Sequence, residues 1–328
     1  MTSKLKDLAA VAGFALAGVL GTAPATLAQQ DFPTKPITIL VGYNPGDNVD
    51  VLTRQLADIV QSKLGQPINI ENRPGVAGAV ALAQLANAAP DGYTLAAIVD
   101  TPLSRMTVQR KMDYTLNDFA PVMQYSSGVT GVVVKADSPW QSFKDLVDDA
   151  KANPGKINYA TSGAGSTMHV AMQYVASTDS IEWTHIPYPG ARDTLAAVLG
   201  GHVDAAVGST QWVEDVRAGT MRLLAVISDK RMDAFPDVPT LSELGYDFDD
   251  HAVTLIAAPA GTPEPILAKL DQAFHEAMET EEFGKTLENL IAAKEYRGHQ
   301  ELATYLQQVQ TNFASTLKTL GMPVEGAN

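Results

Sequence analysis

The segment ITILVGYNPGDNVD, Ile37 to Asp50, decides how this chain is built. ITILV (Ile37 to Val41) reads as a buried strand. Val49, Leu52, Leu56, Ile59, Val60 and Leu64 then recur at helical spacing until Gly65 closes the helix. Between them, Gly42 to Asp50 forms a bend rich in glycine and proline. Amides at a helix start have no intrahelical partner and carry the positive end of the helix dipole. A glycine bend there lets a small anion approach the backbone. The arrangement recurs: INYA (Ile157 to Ala160) reads as a strand, TSGAGST (Thr161 to Thr167) as a small-residue loop, and MHVAMQYVA as the next helix. Two such loops facing each other would clamp a small acid.

Working outward, Pro67 to Glu71 and Thr94 to Val99 read as strands, with an Ala/Leu-rich helix from about Gly78 to Ala88 between them. This β-α-β-α-β order predicts a parallel, doubly wound sheet with its ligand at the strand C-termini. After Phe119 the pattern restarts. Val129 to Lys135, Ile157 to Ala160, Trp183 to Pro187, Val203 to Val207 and Leu223 to Ile227 read as strands with helices between them. A last strand, Val253 to Ala258, precedes helices starting near Pro263, Glu281 and Glu301. A lone helical tail cannot bury its apolar face, so it is expected to pack back on the first unit. The expected domains are 29–129 with 252–328, and 130–251. The chain would cross between them near Ser127 to Gly131 and near Asp250 to Thr254, and two crossing strands make a hinge.

The first residues read as a secretory leader. Lys4 and Lys6 precede an apolar run from Leu8 to Leu20, and Thr26 and Ala28 suit a signal peptidase site. Cleavage is expected near Ala28–Gln29, leaving a periplasmic protein. The run is short of the roughly 20 residues a spanning helix needs. The chain has no cysteine, which excludes disulfides, thiolate metal sites and a cysteine nucleophile. Its net charge of −14 argues against nucleic acid and anionic membranes as partners. Six histidines show no metal-ligand spacing, and no metal or cofactor is expected.

Several segments carry a family resemblance: PTKPITILV (Pro33 to Val41), NPGDNVD (Asn44 to Asp50), GQPINIENRPGVAG (Gly65 to Gly78), APDGYTL (Ala89 to Leu95), ANPGKINYATSGAGSTMH (Ala152 to His169), HIPYPG (His185 to Gly190), LGGHVDA (Leu199 to Ala205), FPDVPTLSELGY (Phe235 to Tyr246) and APAGTP (Ala258 to Pro263). In this order and spacing the chain resembles the periplasmic substrate-binding proteins of tripartite tricarboxylate transporters, the Bug family. The resemblance implies a type II two-domain clamshell. It would close over a small carboxylate-bearing ligand, deliver it to membrane permease subunits, and catalyse nothing. The chain departs from the family pattern in its loops. Asn44 and Asp47 stand where the first loop usually has proline and glycine, Pro189 where lysine is usual, and Arg192 where a small residue is usual.

The expected ligand-binding residues are Tyr43, Asn44, Gly46, Asp47, Asn48, Asp50, Thr101, Ser162, Gly163, Ala164, Gly165, Ser166, His169, Arg192 and Thr210. Asp50 matches a family aspartate, but reads best as complementing the helix dipole. Asp47 has two readings: an N-cap turned back on the helix, or a carboxylate facing a cationic or neutral ligand end. His169 would brace the second loop more readily than touch ligand. Arg192 is either a two-pronged carboxylate partner or a surface arginine at a helix start. Trp183 reads as core, whereas Trp212, after a strand end, reads as cleft-lining. The expected function is capture of a small organic acid, such as a carboxylate, an amino acid or an aromatic acid, by a monomer. The alternatives are an exported α/β hydrolase, for which no GxSxG elbow is present, and a ligand sensor docking to a membrane receptor.

Overall fold

The computed structural model describes residues 32–164, 166–188, 190–228, 230–248 and 251–326. The expected leader and its cleavage point lie outside the described residues, as do Gly165, Pro189 and Asp250.

Strand β1 is Ile37–Val41 and helix α1 is Asn48–Leu64. Then come β2 (Ile68–Asn72), α2 (Ala79–Leu85) and β3 (Thr94–Val99). A π-turn over Thr101–Arg105 runs into the short α3 (Met106–Gln109), and β4 is Phe119–Ser127. The chain continues through β5 (Thr130–Lys135), α4 (Phe143–Ala152), β6 (Asn158–Thr161), α5 (Thr167–Asp179) and β7 (Thr184–Pro187). Next are α6 (Ala191–Leu199), β8 (Ala205–Gly208), a 3-10 turn Thr210–Trp212, α7 (Val213–Arg217) and β9 (Met221–Ile227). The last elements are β10 (Val253–Pro259), α8 (Glu264–Met278), α9 (Glu281–Leu290), β11 (Arg297–Gly298) and α10 (His299–Thr319).

Two sheets organise these elements. The first has the order β11-β4-β10-β3-β1-β2 and the second β7-β6-β8-β5-β9. The β-α-β units give parallel pairs: β1 with β2 and β3, and β6 with β7 and β8. Antiparallel pairs join β10 to β3 and β4, and β5 to β8 and β9. The antiparallel strands are those through which the chain passes between sheets: β4 into β5, and β9 towards β10. Each sheet is therefore mixed, in an α/β fold of two lobes.

Strand β4 has no signature in the sequence. FAPVMQYSS is buried along nearly its whole length, so it lacks the alternation that marks a half-exposed strand. It also contains Pro121, which cannot donate to a ladder. The β4–β10 register slips between Ile256 and Ala257, where Pro121 is paired.

Helix α10 packs back on the first lobe, as expected of the tail, and also reaches beyond it. Leu302 and Leu306 join the core of the first sheet. Phe313 and Leu317, further along the same helix, belong to the buried cluster that holds Val132, Tyr159 and Val207 of the second sheet. The tail thus packs on both lobes, and apolar contact ties them in addition to the strand crossings. A buried ion pair sits at the β10 crossing: Arg105 binds Asp100, whose Oδ1 accepts the Val253 amide at 3.1 Å.

Trp212 is core. It is fully buried, its Nε1 donates to the Gly208 carbonyl at 2.9 Å, and its ring lies against Gly131 of β5. A Cβ at Gly131 would stand 2.6 Å from that ring. The indole needs the space that glycine leaves, so it turns inward and not toward the cleft.

Candidate functional site

Four helical starts converge between the lobes, those of α1, α5, α6 and the Thr210 turn. They follow the C-terminal ends of β1, β6, β7 and β8, where ligands sit in open α/β sheets. A cavity of about 830 Å³ lies among them, lined from both lobes.

The first loop is built around Asp50. This carboxylate is 2% exposed. It accepts hydrogen bonds from the Gly46 amide at 2.9 Å, Asn72 Nδ2 at 2.8 Å and Arg54 Nε at 3.0 Å. Burial pushes its pKa up, but the bonds from Arg54, Gly46 and Asn72 outweigh burial and hold it below the ordinary value. Asn72 Nδ2 also donates to the Tyr43 carbonyl at 3.0 Å, which fixes the exit from β1. The Tyr43 hydroxyl donates to the Ala77 carbonyl at 3.0 Å and accepts the Val99 amide at 3.4 Å, so one phenol joins the exit of β1 to the end of β3 and to the turn before α2. Burial raises its pKa. A Cβ at Gly42 would lie 2.7 Å from the Gly78 backbone, so glycine is required where these loops cross.

Asp47 occupies the N-cap position of α1, yet its side chain does not cap the helix. Its Oδ2 instead accepts the Asn44 amide at 3.0 Å, and the residue lines the cavity. The loop amides of Asn44 and Gly46 are therefore bonded within the loop. The first helical residues, Asn48 and Val49, line the cavity at the uncapped, positive end of α1.

The second loop is occupied with itself. Thr161 Oγ1 donates to the Gly163 carbonyl at 3.0 Å and lies 2.8 Å from His185 Nε2. Ser166 caps α5 by accepting the His169 amide at 3.3 Å. The His169 ring stacks on His185 with centroids 3.9 Å apart. Burial lowers the pKa of both rings, and the neighbouring His169 helps bring His185 down to about 4. His169 thus braces the loop. Gly163 has φ +117 and open space where a Cβ would stand, so the glycine serves backbone geometry.

Of the expected residues, Tyr43, Gly46, Asp47, Asn48, Thr101, Arg192 and Thr210 line the cavity together. Asn44, Asp50, Ser162, Gly163, Ala164, Ser166 and His169 are not among its lining residues; local hydrogen bonds and caps engage Asn44, Asp50, Gly163, Ser166 and His169. Gly165 lies outside the described residues. The second loop reaches the cavity through Thr167 and Met168 instead. Ser127, Thr130 and Thr254 of the crossing segments, and Ile291 and Ala292 after α9, complete the wall. The sequence marked the crossings as the passage between lobes but not as a cavity wall, and no signal marked 291–292. Among the described lining residues Arg192 is the one cation, and Asp47 and Asp193 are the anions.

Among the described residues, no helix is long and apolar enough to cross a membrane, and no group of three or more His, Asp or Glu is placed to hold a metal ion. Known proteins resemble this chain along most of its length. The tripartite tricarboxylate transporter family receptor model matches residues 52–322. A UPF0065 protein of the gbd 5' region of Cupriavidus necator is 33% identical over 304 residues, covering 92% of this chain and 93% of the relative. The solved structure of a Polaromonas TctC solute binding protein superposes with a TM-score of 0.78 at 26% identity, covering 88% of this chain and 99% of that one. An R. palustris protein solved with adipate superposes with a TM-score of 0.74 at 26% identity, covering 89% and 99%. The chain belongs to the receptor family of tripartite tricarboxylate transporters, the Bug-type periplasmic solute-binding proteins.

Proposed function

We propose that the chain captures a small organic acid in the cavity between its lobes and presents it to membrane permease subunits, as a monomer and without catalysing a reaction. The observation that carries this reading is Arg192, the one cation among the described lining residues, on a cavity of about 830 Å³ walled by both lobes. The adipate held by the R. palustris protein is a precedent for an organic acid in this fold. The lobes, taken as residues 29–129 with 252–328 and residues 130–251, would close on the ligand about the crossings after β4 and before β10. The apolar tie through α10 would limit that movement.

The charges refine the ligand. Arg192 suits one carboxylate. A second carboxylate about 4 Å from Asp47 would cost on the order of 4 kcal/mol at an effective dielectric near 20. An amide or amine at that end fits better. It offers a donor to Asp47, and an amide also offers an acceptor to the first amides of α1. The ligand we infer carries a carboxylate at one end and a neutral or cationic polar group at the other, as an amino acid or an amidated acid does.

Calorimetric titration of glutamine, glutamate, succinate and adipate tests this reading. The expected order places glutamine above the symmetric dicarboxylates. Arg192→Ala should weaken the best ligand about tenfold, and Asp47→Gly should shift the preference towards adipate. Tightest binding by adipate, with Asp47→Gly leaving the order unchanged, would remove Asp47 from the site. If no organic acid binds or raises the melting temperature, the reading fails.

A further inference from the structure

A second cavity, of about 580 Å³, shares Ser127, Val129, Ile291 and Ala292 with the first. It too is lined from both lobes, by the segment after β9 and the C-terminal half of α9. Its lining gathers cations, which the first cavity's lining does not. Among the described lining residues, Arg217, Lys230, Arg231 and Lys294 stand against Asp233 and Glu288, in a chain of net charge −14. These cations are exposed at the rim. Three of them hold exposed carboxylates: Arg217 with Glu214, Arg231 with Glu243, and Lys294 with Glu279. Exposed pairs of this kind contribute little, so a ligand anion competes with weakly held carboxylates. Beneath the rim lie Val129, Met232 and Leu287, all buried. A cationic rim over an apolar floor fits a ligand with a charged head and an apolar body.

The shared wall has a mechanical consequence. The two cavities share four wall residues, so a molecule that fills the second bears on the wall of the first. Through that wall, occupancy of one cavity can act on the other, and such a coupling is reciprocal.

We propose that the second cavity binds an amphipathic organic anion, head on the cationic rim and body on the Met232–Leu287 floor, and that its occupancy weakens ligand binding in the first cavity. The site stands on its own lining; only the coupling rests on the function proposed above.

Octanoate is a suitable probe, titrated into the purified protein and followed by ligand-observed NMR. Saturable binding is expected. The double reversal Arg217→Glu with Lys230→Glu should weaken it about tenfold or more, while Arg192→Ala leaves it unchanged. Both reversed side chains are exposed, and an unchanged melting curve checks the fold. No saturable binding at millimolar octanoate, or equal affinity in the reversed variant, overturns the site. Saturating octanoate should also weaken glutamine or adipate binding several-fold in the wild type and not in the reversed variant. Unchanged affinity overturns the coupling. If neither acid binds without octanoate, it is the reading of the first cavity that fails, and the octanoate titration still decides the second.

Discussion

Replacing Asp50 by alanine should loosen the fold and the first loop together. The carboxylate is 2% exposed and holds the Gly46 amide, the Asn72 side chain and Arg54. A hydrogen bond to a charged group contributes about 1.5–3 kcal/mol, and the three bonds share one anion, so they do not add. Arg54 is 45% exposed and keeps a 2.8 Å bond to Asn72 Oδ1, so water recovers part of its loss. The Gly46 and Asn72 donors lose their partner at the buried carboxylate. The expected loss is roughly 3 kcal/mol, at the lower end of the range for breaking a buried pair. Asp50→Asn preserves the shape and one acceptor, and should cost about half as much. Urea unfolding at pH 7 measures both, with an unchanged slope if the native state stays compact. The freed Gly46 amide should also disturb the cavity wall and weaken ligand binding. Because hydrogen bonding holds the Asp50 pKa below its ordinary value, its contribution is fully present above about pH 4 and fades as pH falls through the folded value. The asparagine variant should therefore lose less stability on acidification than the wild type. A change below about 0.5 kcal/mol for Asp50→Ala would refute the argument, since that is the size of an ordinary surface substitution.

Two further outcomes follow from the second lobe. Gly131→Ala should destabilise by about 1–3 kcal/mol through overpacking, because its Cβ meets the rigid Trp212 ring at 2.6 Å; a neutral effect on the denaturation midpoint would contradict the packing described. His185 has a folded pKa near 4, depressed first by burial and then by His169, against about 6.5 when unfolded. Its neutral form is favoured in the fold, so that stability is full above pH 6.5 and is lost progressively down to about pH 4. His185→Gln should flatten the melting temperature between those limits, and an unaltered pH profile would show that the ring does not titrate as described.

Much of the fold was legible because neighbouring residues decide it. β1 and β3 match the runs Ile37 to Val41 and Thr94 to Val99, bounded by glycine, proline and aspartate turns. Gly65 closes α1 in the left-handed conformation that glycine favours. β4 was hidden because a strand buried on both faces carries no alternation. Trp212 was misplaced because the absence of a side chain at Gly131, on another strand, decides which way the indole turns.

The site divides along the same line. The sequence by itself determined the lobed α/β frame, the loops at the strand ends and the residues available there, since these depend on periodicity and turn chemistry within a few positions. Tertiary structure alone decided which of those residues line the cavity. Asp50 reaches Asn72 in the next strand, and Thr161 reaches His185 across its sheet; both contacts turn loop groups inward. The cavity wall joins Ser127, Thr254 and Ala292 with Arg192, from segments far apart in the chain. Such a wall exists only once two lobes have packed, because facing is a relation between surfaces, and no local run of residues encodes it.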